Sequence, residues 1–300
     1  MRRTVRIAWA PLAVAAVIGW LAIGVSTAQE TAPPSIEDVS RDIGAAFRPG
    51  VPSDDPLFIL AIGSDARPRQ SVTRSRADSL HIIGVNPRTG VASILGIPRD
   101  SYVSIPGVGT QKINAALFHG GPELTVATVE RLTGIRMDGY LLTGFEDFRR
   151  AVSEVGGIAM RIPYGMSDAS SNAHFRPGPT RLDGPEALAF SRNRHDAPGG
   201  DFGRSMNQGR LMIAALRELR DEVRKDPVAV FRWVLVGARY LRTDITLPDM
   251  VDLAVAALSV DKVKNRVVSG GGGFAGGASV VRLGGSAQAI FRDLARDGTL

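Results

Sequence analysis

Ser79-Leu80-His81-Ile82-Ile83-Gly84-Val85-Asn86-Pro87-Arg88-Thr89-Gly90-Val91-Ala92-Ser93-Ile94-Leu95-Gly96-Ile97 reads as two apolar runs separated by a turn. Ser79 to Val85 and Val91 to Ile97 each have the length and β-branched content of a buried strand, and Asn86-Pro87-Arg88-Thr89-Gly90 makes a hairpin their natural connection. Upstream, Leu57 to Ile62 ends in Gly63 and predicts a third buried strand. Downstream, Leu124, Val126, Val129 and Leu132 recur at three- and four-residue steps within Pro122 to Leu132, a helix that stops at Gly134. Tyr140 to Thr143 reads as a strand, Phe145 to Val155 as a helix and Gly157 to Ile162 as a strand. This alternation argues for an α/β domain with helices packed on a central sheet.

Ser167 to Thr180, rich in Ser, Asn, Gly and Pro, reads as a loop. Helices are expected at Gly184 to Ser191, Arg204 to Val223, Pro227 to Tyr240 and Leu247 to Leu258, then short strands at Lys264 to Val268 and Ser279 to Arg282, and a last helix at Ser286 to Asp297. The run Gly270 to Gly273 reads as a flexible loop; it lacks the lysine and spacing of a P-loop.

At the other end of the chain, Arg2, Arg3 and Arg6 precede an uncharged run from Ile7 to Val25, which at about 1.5 Å per residue can just cross a bilayer. The positive flank puts the remainder outside the cell membrane. A cleaved signal peptide is the rival, with Ser26-Thr27-Ala28 as its cleavage region, but the apolar run exceeds the roughly 7–15 residues usual there, which favours a single-pass signal-anchor. Residues 1–28 are then tip and transmembrane segment, 29–54 a proline-bearing extracytoplasmic linker, and 55–300 the folded domain. The net charge of +6 points to anionic partners. An extracytoplasmic location removes nucleic acid and leaves anionic lipid or a phosphorylated substrate. Arginine outnumbers lysine 32 to 4, so only arginines in tight constellations carry weight.

No Ser-His-Asp set with a nucleophile elbow and no His/Cys metal cluster appears, and His81, His119, His174 and His195 are scattered, so histidine chemistry is not expected. Arginine and aspartate instead gather where strands give way to loops: Asp65 and Arg67, Arg76 and Asp78, Arg99 and Asp100, Arg192 and Arg194, Asp201 and Arg204. Loops beyond strand ends form the crevice in which open sheets bind ligands. Guanidinium groups grip phosphate oxygens with paired donors, so several converging arginines suit a pyrophosphate. Asp65 and Asp78 supply the one or two carboxylates that Mg²⁺ (or Mn²⁺) takes beside substrate phosphates. Each pair is equally readable as a surface ion pair, and Asp201 as the N-cap of the helix carrying Arg204 and Gln208.

The ordered set Gly63-Ser64-Asp65-Ala66-Arg67, Arg76-Ala77-Asp78-Ser79, Ile97-Pro98-Arg99-Asp100-Ser101, Ile105-Pro106-Gly107, Lys112-Ile113-Asn114-Ala115-Ala116, Gly120-Gly121-Pro122, Gly156-Gly157, Leu182-Asp183-Gly184 and Arg192-x-Arg194 with Asp201, Arg204 and Gln208 resembles the LytR-CpsA-Psr domain. The resemblance implies a central mixed β-sheet flanked by helices in an α/β/α domain, and a long apolar pocket for a polyprenyl chain. It implies a phosphotransferase that moves a glycopolymer from a polyprenyl-pyrophosphate carrier to peptidoglycan in cell-wall assembly. By the same resemblance Asp65 and Asp78 are metal-associated, Arg76, Arg99, Arg192, Arg194, Arg204 and Gln208 surround the pyrophosphate, and Arg76, Arg99 and Asp100 are catalytic, with Asp100 or Asp78 taking the proton. The prenyl tail is expected among the side chains of Phe145 to Val155 and Leu211 to Leu219.

The sequence departs from the family pattern at Ala77 and Ser79 within the second motif, at Gly96 where serine is usual, and at Asn207 where many members have arginine. Two other functions fit the same residues: a hydrolase that cleaves polyprenyl pyrophosphates with water, and a non-enzymatic protein that binds lipid carriers or wall polymers as scaffold or regulator.

Overall fold

The computed structural model describes residues 55–67 and 69–300. The expected transmembrane segment and linker lie outside the described residues; among those described, no helix is long and apolar enough to cross a membrane.

Six strands form the central sheet: β1 (Leu57–Ser64), β2 (Ala77–Asn86), β3 (Val91–Gly96), β6 (Gly139–Thr143), β11 (Arg242–Thr243) and β12 (Lys262–Val267), in the order β11-β6-β1-β2-β3-β12. The β2–β3 hairpin is antiparallel as predicted, with Val85 opposite Ala92 and Asn86 opposite Val91; the Asn86 side-chain oxygen accepts from the Arg88 and Thr89 amides and closes the turn. β1 pairs antiparallel with β2 but parallel with β6, and β3 parallel with β12, so the sheet is mixed. These directions bring the C-terminal ends of β1, β3 and β6 and the start of β2 to one end of the sheet. There the β1–β2 ladder slips: Gly63 faces Ser79 while Ser64 faces Ala77, leaving Asp78 unpaired in a bulge. Bulges of this kind re-aim a side chain next to a site.

Alternation along the strands sends Leu60, Ile62, Leu80, Ile82, Leu95, Tyr140 and Leu142 to one face. They pack with Leu117 and Val129 of α1 (Ala115–Thr133) and Phe291 and Leu294 of α7 (Gly285–Asp297) in the main core. The other face carries α4 (Asp201–Lys225), which lies over β2, β3 and β12. His81, fully buried, joins the layers: its Nε2–H donates to the Ser205 carbonyl at 3.1 Å while Nδ1 accepts from Ser79 Oγ at 3.1 Å. Gly96 explains one departure from the family pattern, because a Cβ there would lie 2.3 Å from Ser205 Oγ and 3.2 Å from His81 Nε2. On this same face Ala61, Ile83 and Leu141 are half-buried, Ile83 packing against the small cluster of Val85, Ala92 and Val260.

A second apolar cluster joins α4 to α2 (Phe145–Glu154), α3 (Gly184–Arg192) and a strand-rich insertion through Val152, Ile158, Leu182, Phe190, Leu211 and Ala214. α5 (Ala229–Tyr240) and α6 (Leu247–Leu258) pack on each other beside it.

Several expectations are corrected. The strand expected at Gly157 to Ile162 forms as β7 (Ile158–Ile162), but outside the central sheet, paired with β10 (Gly178–Leu182). The expected loop Ser167 to Thr180 contains β9 (Ala173–Phe175), which pairs with β8 (Met166–Asp168). A hairpin of β4 (Tyr102–Ile105) and β5 (Gly109–Lys112) turns through Pro106-Gly107. The glycine run is no loop: β13 (Gly270–Ala275) pairs residue by residue with β14 (Ala278–Leu283), since ladder bonds need only the backbone. The helix expected from Pro122 forms there, and an unexpected shorter helical segment from Ala115 precedes it across a break at Gly120 (φ −142°, ψ 18°) and Gly121 (φ 71°, ψ −166°).

Candidate phosphate-ester site

Four of the sequence-predicted residues meet at the bulged sheet end. Asp78, freed from the ladder by the bulge, pairs with Arg99 Nη1 and lies 3.9 Å from Arg204 Nη1. Asp201 Oδ1 sits 2.7 Å from Arg204 Nη2 and 3.5 Å from Arg99 Nε, and Arg204 Nη2 also donates to the Asp78 carbonyl at 3.2 Å. Asp201 is therefore not the N-cap. Gly200 holds that position, and Asp201, the first helical residue, turns its carboxylate onto the arginines. Arg204 is 5% exposed while Arg99, Asp78 and Asp201 are 16–23% exposed, so the network is buried behind and open in front. Burial pulls the Arg204 guanidinium downward against the two carboxylates; at Arg99 the same burial cost is outweighed by Asp78 and Asp201, and its affinity for the proton rises. Arg99 Nε, Arg204 Nε and Asp201 Oδ1 are buried without a well-directed hydrogen bond, unusual in a folded interior and frequent at functional sites.

The two arginines and two carboxylates cancel, so excess positive charge must come from their neighbours. Arg194 is near enough to disfavour the charge on Arg204. Arg192, the last residue of α3, lies over the Phe145 ring at 4.9 Å, and Gln208 Nε2 donates to the Ser191 carbonyl, tying α4 to that helix end. α3 is started firmly: Asp183 Oδ1 accepts from Glu186 N, and the Glu186 carboxylate accepts from Asp183 N in a capping box. Arg76 is exposed at the front, with its N–H donating to Asp65 Oδ1 at 2.8 Å and its carbonyl accepting from Asp65 N. Asp100 pairs with Lys112 Nζ at 3.0 Å and stays close enough to raise Arg99.

Asp65 lies one residue past β1 and Asp78 in the bulge of β2, Asp65 with one oxygen committed to Arg76 N and Asp78 committed to guanidinium groups. Among the described residues no group of three or more His, Cys, Asp or Glu could enclose a metal. The donor set fits only a hard cation that draws most of its shell from phosphate and water.

Asn207, where arginine is common, is fully buried: Nδ2 donates to Tyr164 Oη at 2.6 Å and Oδ1 accepts from Arg210 Nη1 at 2.8 Å. A cation one turn further along α4 thus stands close to that position. His195 is not isolated either. Asp168 Oδ1 accepts from its Nδ1 at 3.0 Å, and Ser170 Oγ lies 3.3 Å from the same nitrogen. The His195 bond, then those from Ser171 and Ser170, hold the Asp168 carboxyl far below its ordinary range. A hydrolytic triad needs serine and aspartate on opposite ring nitrogens, so this cluster ties the β8–β9 hairpin to the arginine loop instead.

A mixed sheet between helical layers, with a guanidinium–carboxylate network at one end, defines an α/β/α protein with an arginine-rich site beyond its strand ends. The chain belongs to the LytR_cpsA_psr family, whose profile matches residues 24–291. The polyisoprenyl-teichoic acid–peptidoglycan teichoic acid transferase TagU of Bacillus mycoides (strain KBAB4) is 36% identical over 169 residues, which are 56% of this chain and 54% of that protein. The chain thus spans about half the length of the Bacillus relatives it matches. The transferase of the same name from Enterococcus faecalis (strain ATCC 700802 / V583) is 29% identical over 232 residues, 76% of this chain and 75% of that protein. Among solved structures, TagT bound to LI-WTA superposes with a TM-score of 0.68 at 26% identity, covering 84% of this chain and 92% of that one.

Proposed function

We propose that the chain moves a glycopolymer from a polyprenyl-pyrophosphate carrier to peptidoglycan. One observation carries this reading: Asp78, Arg99, Asp201 and Arg204 form one guanidinium–carboxylate network, buried behind and open in front, at the end of the sheet. The names of the TagU relatives and the LI-WTA bound to the TagT neighbour support it.

Arg76, Arg192 and Arg194 bring the uncompensated charge that attracts the pyrophosphate, with Gln208 fixing the end of the helix that carries Arg192. Arg99 and Arg204, held by Asp78 and Asp201, give a preset donor array for charge developing on the transferred and leaving oxygens. A peptidoglycan hydroxyl attacks the phosphorus next to the polymer, the bond to the bridging oxygen breaks, and polyprenyl phosphate departs. Asp100, beside Arg99, or Asp78 receives the hydroxyl proton. Asp65 and Asp78 would hold Mg²⁺ (or Mn²⁺), which supplies further neutralisation of phosphate charge when bound. The apolar run 7–25 tethers the domain outside the cell membrane.

The test is incubation of the purified chain with labelled lipid-linked polymer and peptidoglycan. Label bound to the wall is the expected product; free polymer without wall-bound label means hydrolysis, and intact lipid-linked polymer means a binding protein.

A further inference from the structure

The Gly120-Gly121-Pro122 motif takes no part in the network above, yet it lines a cavity. The break at Gly121, whose φ of 71° favours glycine, divides α1 in two. The first half ends on the His119 carbonyl, which accepts from Arg74 Nη1 at 3.1 Å. The second half starts at Pro122 and turns its N-terminal end, the positive end of the helix, into a cavity of about 530 Å³. Arg74 and Arg242 both line this cavity, together with Thr73, Tyr140 and Glu123. Burial and the nearby Glu123 carboxylate hold the Tyr140 hydroxyl protonated above its ordinary range.

The cavity shares no lining residue with the arginine network but is tied to it along the chain. Arg74 lies two residues before Arg76 in the β1–β2 connection, and the residue preceding α1, Asn114, accepts from Ala77 N and donates to the Arg99 carbonyl. Tyr140 belongs to the α1 face of the sheet, whereas Arg204 is carried by α4 on the opposite face. Two guanidiniums and a helix N-terminus outweigh one carboxylate and select an anion, while Glu123 and the threonines suit hydroxyl groups. The volume suits one or two sugar-sized units.

We propose that this cavity binds an anionic unit of a wall glycan, a sugar or polyol bearing a carboxylate or phosphate, as a polymer subsite distinct from the pyrophosphate site. The assignment rests on the transfer reading for its choice of glycan. Two sources share this chemistry: an amino-sugar acid of the acceptor strand and a phosphate unit of the incoming polymer.

Calorimetry on the full-length chain in detergent separates them with four probes: N-acetylglucosaminyl-N-acetylmuramic acid, a glycerol phosphate trimer, neutral chitobiose and octaprenyl pyrophosphate. One of the two anionic probes is expected to bind, at least tenfold more tightly than chitobiose. Arg242→Ala should weaken it about tenfold and Arg242→Lys restore it to within threefold, with octaprenyl pyrophosphate affinity unchanged within twofold in both variants. Binding of the disaccharide assigns the cavity to the acceptor, and binding of the trimer to the polymer. The subsite is rejected if neither anionic probe binds, if chitobiose binds equally well, or if Arg242→Ala leaves glycan affinity unchanged or lowers lipid affinity in parallel. Should octaprenyl pyrophosphate alone fail to bind the unaltered chain, the transfer reading falls and the cavity is still decided by the glycan probes.

Discussion

Arg204 and Arg194 stand ten positions apart and do different work. Arg204 is a buried cation between two partly exposed carboxylates, so Arg204→Ala leaves Asp78 and Asp201 facing each other without it. The expected loss is about 3 kcal/mol, read as a lower urea midpoint. Arg194 is exposed and adds charge only, so Arg194→Ala should keep the midpoint and weaken octaprenyl pyrophosphate binding, most at low salt. His81 gives a pH signature. Burial lowers its imidazole to about 4, so below pH 6.5 the unfolded chain takes up a proton that the folded chain refuses. The stability it contributes is complete above 6.5 and is lost as the pH falls toward 4, about 3 kcal/mol in all. Comparing urea midpoints of the unaltered chain and His81→Gln between pH 7 and 4.5 checks this; parallel curves would refute the buried neutral imidazole. Of these contacts only Asp201 with Arg204, three residues apart, is local; Asp78 reaches Arg99 and Arg204, and Asp201 reaches Arg99, between separate elements, and Asp168 meets His195 only after the β8–β9 hairpin has folded.

Elements were legible where one periodicity governed them. The β1, β2 and β3 strands declare themselves by length and β-branching, and α6 forms over the residues its apolar spacing marked. Legibility failed where the backbone alone decided. β13 has almost no side chains to read, β8 and β9 are too short to show a period, and nothing in Gly157 to Ile162 says that it pairs with β10 instead of joining the central sheet. Two glycine substitutions separate these cases. In β13 a Cβ at Gly271 meets nothing within 4 Å, so Gly271→Thr should preserve the fold and raise stability by about 0.5 kcal/mol if the ribbon is real. In α4 a Cβ at Gly203 would lie 2.3 Å from the Pro198 carbonyl oxygen, so Gly203→Ala pushes the helix start off the arginine loop. Transfer activity should fall at least tenfold, with a thermal midpoint several degrees lower.

At the scale of the molecule, sheet order places Asp65, Arg76, Asp78 and Arg99 together although they come from separate motifs, and the order of those motifs along the chain made the family legible before any contact was known. Chelating divalent metal should abolish transfer while leaving the thermal midpoint nearly unchanged, because the Asp78–Arg99–Asp201–Arg204 network holds itself together by its own ion pairs. A large drop in midpoint on chelation would assign the cation a structural role instead.

That self-sufficiency has a consequence for selectivity. A bare nest of guanidiniums would be saturated by any stray inorganic phosphate around the cell. Asp78 and Asp201 act as resident counterions that a visitor must outcompete, which charge alone does poorly. Only a molecule that also carries a greasy anchor gains enough elsewhere to pass that threshold, so the carboxylates make the grip weaker and the choice sharper.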